Sequence, residues 1–167
     1  DIKKYSFFIA PVLLIGILIV VLNLTSQKSQ LPSTSEPTIS FGSVSGNPGS
    51  SVDLPITFTA GTTGVTALQF DLTLPADLTY ASISTGSAAS AAGKATQANM
   101  IDKSLRVIIS GLNQTAISSG HIAVVKLNIA SNASAGTLNL ALSGIVASSP
   151  EAAAVNTSWS KGEIKVQ

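Results

Sequence analysis

The chain has 167 residues, no cysteine, one histidine, and only 10% charged and 5% aromatic side chains. From Thr38 onward six acidic residues (Asp53, Asp71, Asp77, Asp102, Glu151, Glu163) are matched by six basic ones (Lys94, Lys103, Arg106, Lys126, Lys161, Lys165), with no basic cluster. The missing thiols remove disulfides, thiolate metal sites and thiol nucleophiles together, and the neutral balance argues against nucleic-acid binding.

Residues 5–27 carry no charge, and the run FFIAPVLLIGILIVVLNL is apolar on every face. As a helix rising about 1.5 Å per residue, this stretch reaches roughly 35 Å, enough for the ~30 Å hydrocarbon core of a bilayer. A single apolar α-helix is therefore expected over residues 1–28. Phe7, Phe8, Pro11, Leu14, Gly16, Leu18, Val20 and Leu22 would carry its membrane or assembly contacts. Lys3 and Lys4 in front of the span predict a cytoplasmic N-terminus and an extracytoplasmic C-terminal domain. The run is longer than a usual signal-peptide core, and Leu24-Thr25-Ser26-Gln27 offers no small-x-small cleavage site, so the segment is expected to be retained. A helix apolar all round can also be buried among other transmembrane helices or among its own copies. That layout is similar to pilin-like and archaellin-like subunits, although bacterial pilins usually carry a Glu at the fifth position, where this chain has Tyr5.

Residues 26–37, SQKSQLPSTSEP, have almost nothing apolar to bury and read as an extended spacer. The expected organisation is a helix over 1–28, a Ser/Pro linker over 29–37 and one domain over 38–167. Within that domain Ile39, Phe41 and Val44 mark a short strand closed by the turn Ser45-Gly46-Asn47-Pro48-Gly49. Residues 51–59 alternate, with Val52, Leu54, Ile56 and Phe58 on one face, and Pro55 predicts an edge or a bulge. Further strands are predicted at 65–74, 78–83, 105–109, 122–129, 138–142 and 163–166, with turn clusters at 60–64, 110–120 and 130–136. The Ala/Ser-rich stretch 84–94 is read as one irregular turn. Eight or nine short strands without a long amphipathic helix predict an all-β sandwich.

Two runs carry a family resemblance. The first is Gly42-Ser43-Val44-Ser45-Gly46-Asn47-Pro48-Gly49-Ser50-Ser51-Val52-Asp53-Leu54-Pro55-Ile56, followed by Val65-Thr66-Ala67-Leu68-Gln69-Phe70-Asp71-Leu72-Thr73-Leu74-Pro75. The second is Leu105-Arg106-Val107-Ile108-Ile109-Ser110-Gly111-Leu112-Asn113-Gln114-Thr115-Ala116-Ile117 with the strand after it. Together they resemble cohesin-like modules over about residues 39–166. The resemblance implies a jelly-roll-like sandwich and a protein partner. The best-known members of that family bind dockerin modules in cellulose-degrading assemblies, and others sit on bacterial and archaeal surface proteins.

Catalytic chemistry is sparse. His121 has no second His or Cys with which to build a triad or a metal site, so it reads as a surface or turn residue. Asp71 and Asp77 bracket the Leu74-Pro75 turn and are the candidates for a calcium ion. Six scattered acids give no paired carboxylates for glycoside hydrolysis. Tyr80 and Trp159 are the large amphipathic aromatics of the domain, and Trp159 is expected against the sandwich edge. Sequons occur at Asn23, Asn113, Asn132 and Asn156.

The expected protein is a non-enzymatic, cofactor-free module on a single-pass membrane anchor. Its partners are lipid or other transmembrane helices through the rod, and a protein through the sandwich. The expectation includes an accessory subunit of a larger membrane complex, and the alternative is a filament subunit that self-assembles through the helix.

Overall fold

A computed structural model of the chain describes residues 35–167. The apolar helix expected over 1–28, with its eight contact residues, Lys3 and Lys4, lies outside the described residues. Among the described residues no helix is long and apolar enough to cross a membrane.

Eleven strands and one short helix follow in chain order: β1 (Thr38–Phe41), β2 (Val44–Gly46), β3 (Ser51–Thr59), β4 (Ala67–Thr73), β5 (Leu78–Thr85), α1 (Ser87–Ala91), β6 (Ala95–Ile101), β7 (Ser104–Ser110), β8 (Gly120–Ile129), β9 (Gly136–Ser148), β10 (Ser158–Trp159) and β11 (Gly162–Val166). They form a five-stranded sheet, β10-β1-β3-β8-β5, and a six-stranded sheet, β2-β11-β9-β4-β7-β6. The alternation read in residues 51–59 is the reason the sheets stack. Val52, Leu54, Ile56 and Phe58 of β3 are buried, as are Leu68, Phe70 and Leu72 of β4 and Leu105, Val107 and Ile109 of β7. Removing one of the large buried rings, Phe58 or Phe70, is expected to cost about 3–5 kcal/mol.

The structure has more strands than the pattern predicts, and each extra has a local cause. Ile39, Phe41 and Val44 do not share one strand, because the chain leaves the first sheet after Phe41 and joins the second at Val44. At the crossing, a Cβ on Gly42 would lie 2.5 Å from Pro55 Cγ, so only glycine fits. β10 holds just two residues and pairs in parallel with β1 at Thr38 and Ile39. β6 begins just after the stretch 84–94 expected to be an irregular turn, where no strand is predicted, and five of its seven residues are exposed. α1 is a single turn whose Ala88 and Ala89 are buried.

Pro55 does not lie on an edge strand: β3 is third of five and pairs with β1 and β8. The Gly42 N–H donates to the Pro55 carbonyl at 2.9 Å, so the Pro55 nitrogen faces the side where β1 has already ended. The missing donor therefore costs the ladder nothing. A register shift follows directly, between Ile56 and Thr57.

A candidate protein-binding face

Inward-facing residues of β9, β4, β7 and β6 make half the core, so the alternate residues necessarily form the outer face of the six-stranded sheet. Register arranges them in rows across the strands. One row reads Val146, Gln69, Ile108, Gln97; the next reads Ser143, Asp71, Arg106, Asn99; a third reads Ala141, Thr73, Ser104, Ile101. β11 extends the sheet, setting Glu163 opposite Asn139 and Lys165 opposite Thr137.

At the middle of the face, Arg106 and Asp71 form a bidentate pair. Arg106 Nε donates to Asp71 Oδ1 at 2.8 Å, and Arg106 Nη2 donates to Asp71 Oδ2 at 2.8 Å. These hydrogen bonds hold the Asp71 carboxyl below its usual range against a smaller opposing effect of desolvation, and they raise Arg106 further. The pairing depends on a break in β9. Register shifts opposite Phe70, Gly144 takes φ +57°, and a Cβ there would meet Asp71 Oδ2 at 3.1 Å.

Polar side chains flank this pair, and exposed apolar ones stand in the adjacent rows at Val146, Ile108 and Ile101. Ile108 is 40% exposed, Ile101 42% and Val146 54%, and Leu112, just past the end of β7, is fully exposed. With Met100 they are all the exposed large hydrophobics among the described residues, and every one lies in β6, β7, β9 or the loop leaving β7. The opposite sheet turns Ser51, Asp53, Thr57, Lys126, Asn128 and His121 outward, with Asp53 and Lys126 3.8 Å apart. Its outer face is largely polar, with Pro55 paired to Val124 between these residues. Single apolar residues on a surface mean little, but their confinement to one sheet makes this face the candidate contact surface.

The loop bearing Leu112 is braced from beneath. Lys94 is buried, and its Nζ donates to both the backbone oxygen and Oδ1 of Asn113, each at 2.7 Å. Asn113 Nδ2 donates to the Gly93 carbonyl at 3.2 Å, and Asn113 Oδ1 also accepts from the Thr115 N–H at 3.0 Å. Burial pushes the Lys94 ammonium below its usual range. A cleft of about 420 Å³ opens where the sheets part between β5 and β6, lined by Leu74, Leu78, Tyr80 and Met100 with Asp102 and Lys103.

Of the residues singled out by sequence, Asp71 lies at the middle of this face, while His121 and Trp159 belong to the other sheet. His121 is exposed and sits across from Thr57. Trp159 is half-buried in β10, paired with Ile39 and packed on the core, as its place near the terminal strand suggested. Of the calcium candidates Asp71 and Asp77, Asp71 has both carboxylate oxygens bonded to Arg106. No group of three or more His, Asp or Glu that could hold an ion occurs among the described residues. Arg106, Ile108 and Val146 were missed. The signal for Ile108 and Val146 lies in the apolar runs Val107-Ile108-Ile109 and Ile145-Val146-Ala147, whose middle residues are apolar at outward positions, and Arg106 stands outside both runs.

A two-sheet sandwich offering one mixed apolar and polar sheet face defines a β-sandwich interaction module. The cohesin domain family model matches residues 37–166, and the chain belongs to that family. Among solved structures it is similar to the sixth cohesin of Acetivibrio cellulolyticus scaffoldin B in complex with a Cel5 dockerin mutant. The identity is 25% and the TM-score 0.69, over 80% of this chain and 100% of that one. A non-cellulosomal cohesin from the hyperthermophilic archaeon Archaeoglobus fulgidus is 18% identical, with a TM-score of 0.67 over 80% of this chain and 92% of that one. CaCohA2 from Clostridium acetobutylicum is 21% identical, with a TM-score of 0.68 over 80% and 92%. No curated protein matches the sequence.

Proposed function

We propose that this chain is a non-enzymatic, membrane-anchored extracytoplasmic module that binds a dockerin-type protein domain on the outer face of β9-β4-β7-β6. The observation that carries the reading is the exposure of Ile101, Ile108 and Val146 on that face, with exposed Leu112 in the loop that leaves β7. Membership of the cohesin family supports a protein partner, and the similar Acetivibrio cellulolyticus cohesin is in complex with a dockerin. The face suits such a partner: apolar side chains supply burial, the internally neutralised Asp71–Arg106 pair supplies oriented polar groups, and the flanking amides and hydroxyls supply a rim. The uncharged run of residues 5–27 and the lysines before it support single-pass anchoring with the domain outside.

Isothermal titration of the chain in detergent against dockerin modules from its own source organism tests the reading. Binding to at least one module, abolished by Ile108→Glu on a folded domain, is the expected result. Binding that ignores substitutions throughout this face, or no binding to any such module, overturns it.

A further inference from the structure

Asn-x-Ser/Thr triplets are common in a chain this rich in Ser and Thr, and three fall in the described residues: Asn113-Gln114-Thr115, Asn132-Ala133-Ser134 and Asn156-Thr157-Ser158. A folded acceptor must offer a free amide nitrogen and a free hydroxyl on a chain that protrudes from the surface. On that criterion the three differ sharply.

Asn113 is spent. Its Nδ2, the atom that would take a sugar, donates to Gly93 O, and its two oxygens hold the buried Lys94 ammonium. A Cβ on Gly93 would lie only 2.7 Å from that nitrogen, which measures how closely the Gly93 backbone is packed against it. Attaching a glycan means drawing Asn113 out and leaving Lys94 buried without its acceptors. Asn156 is exposed, but the hydroxyl its triplet must present is tied down. Ser158 Oγ is 2.9 Å from Thr38 Oγ1, the Ser158 N–H donates to Pro37 O at 3.0 Å, and the residue is part of β10 beside β1.

Asn132 has neither obstacle. The Ala133 N–H donates to Ala130 O at 3.1 Å, closing a tight turn after β8, and the buried Ala133 methyl pins that turn to the domain. Asn132 and Ser134 are both exposed, and the side chain of neither bonds another described residue. The turn is also separate from the rows of the sheet face.

We infer that Asn132 is an N-glycan acceptor of the folded domain and that Asn113, despite its triplet, is closed to modification. The donor class is a polyprenyl-diphosphate oligosaccharide. The Asn132 Nδ2 bonds to the anomeric carbon as the carbon–oxygen bond to the diphosphate breaks, the diphosphate leaves with the electron pair, and the amide proton passes to the transferase. The biological setting rests on the extracytoplasmic reading above, whereas the chemistry can be tested apart from it.

The test incubates the folded full-length chain in detergent with a single-subunit oligosaccharyltransferase and its lipid-linked donor. Occupancy is then mapped by peptide mass spectrometry, with the tryptic peptides of the same chain as the unfolded comparator. Glycan on Asn132 of the folded chain, lost in Ser134→Ala, is expected, with Asn113 modified only in the peptide. Folded-state occupancy at Asn113 equal to that in the peptide, or an Asn132 left bare in the folded chain, overturns the inference. Neither outcome depends on whether the module binds a dockerin or where it resides, so failure here is separable from failure of the function.

Discussion

Asp71 and Arg106 face one another across β4 and β7 with both carboxylate oxygens engaged at 2.8 Å, at the middle of the sheet face. The Asp71 carboxyl is lowered from its ordinary 3.8, first by the hydrogen bonds from Arg106. A lowered acid binds fewer protons folded than unfolded, so its contribution is complete above the ordinary value and is lost as pH falls below that value and through the lowered folded-state one. Denaturation midpoints measured downward from neutral pH should therefore fall more steeply for the wild type than for Asp71→Asn. The contribution is small, since Arg106 remains partly exposed.

Substitutions at Ile108 and Val146 should separate binding from folding. Both side chains point outward, so Ile108→Glu and Val146→Glu are expected to change stability by no more than about 0.5 kcal/mol. Each places an unpaired charge in the seat of a partner and should weaken capture at least tenfold, which is about 1.4 kcal/mol. Thermal melting alongside titration calorimetry reads both quantities.

The Lys94–Asn113 bridge should respond asymmetrically. Lys94→Met replaces a buried ammonium with an apolar chain of similar length, and its effect is expected within about 1 kcal/mol of zero. Asn113→Ala removes the side-chain acceptor while the ammonium stays, at an expected cost of about 1–3 kcal/mol. The double variant should recover most of that loss. Urea titrations of the four proteins measure the cycle.

Gly144 carries φ +57° in the break of β9. A side chain there costs about 1–2 kcal/mol from backbone strain alone. Gly144→Ala should therefore lower stability, and Gly144→Asn, which tolerates this conformation, should lower it less. In the alanine variant the added methyl also crowds Asp71 Oδ2, so partner binding should weaken along with folding.

Anchoring through the first segment predicts that Leu14→Lys or Val20→Lys reduces membrane association. A charge at the middle of a span costs at least ~2.5 kcal/mol on insertion scales. Fractionation and flotation measure the change, and an unchanged membrane share would show that this segment is not the anchor. Regular filaments of the purified chain under the electron microscope, absent after deletion of 1–28, would favour the self-assembling alternative.

Core strands were legible because one face is buried and one wet: Val52, Leu54, Ile56 and Phe58 announce β3 without any tertiary knowledge. β6 was not legible, since ATQANMI lies at the sheet margin and has almost no buried side chain to impose a period of two. β9 was read only as far as Leu142, because the break at Gly144 shifts the alternation and hides the continuation through Ile145 and Ala147. The candidate face is harder still to read. Ile108 and Val146 look like core residues in one dimension, and only the phase of their strands turns them outward. Lys94 gives no sign in the sequence that it is buried, since its acceptors come from a loop 19 residues away.

The rows of the face hold one cation and one anion, and each neutralises the other. Such a surface projects little field into solvent, so a partner is not steered toward it by long-range attraction. Its association rate should lie near the unsteered 10⁵–10⁶ M⁻¹s⁻¹ and respond weakly to added salt. If the partner docks on this face as proposed, discrimination between partners is expressed in how long each stays, a quantity that substitutions at Ile108 and Val146 should change.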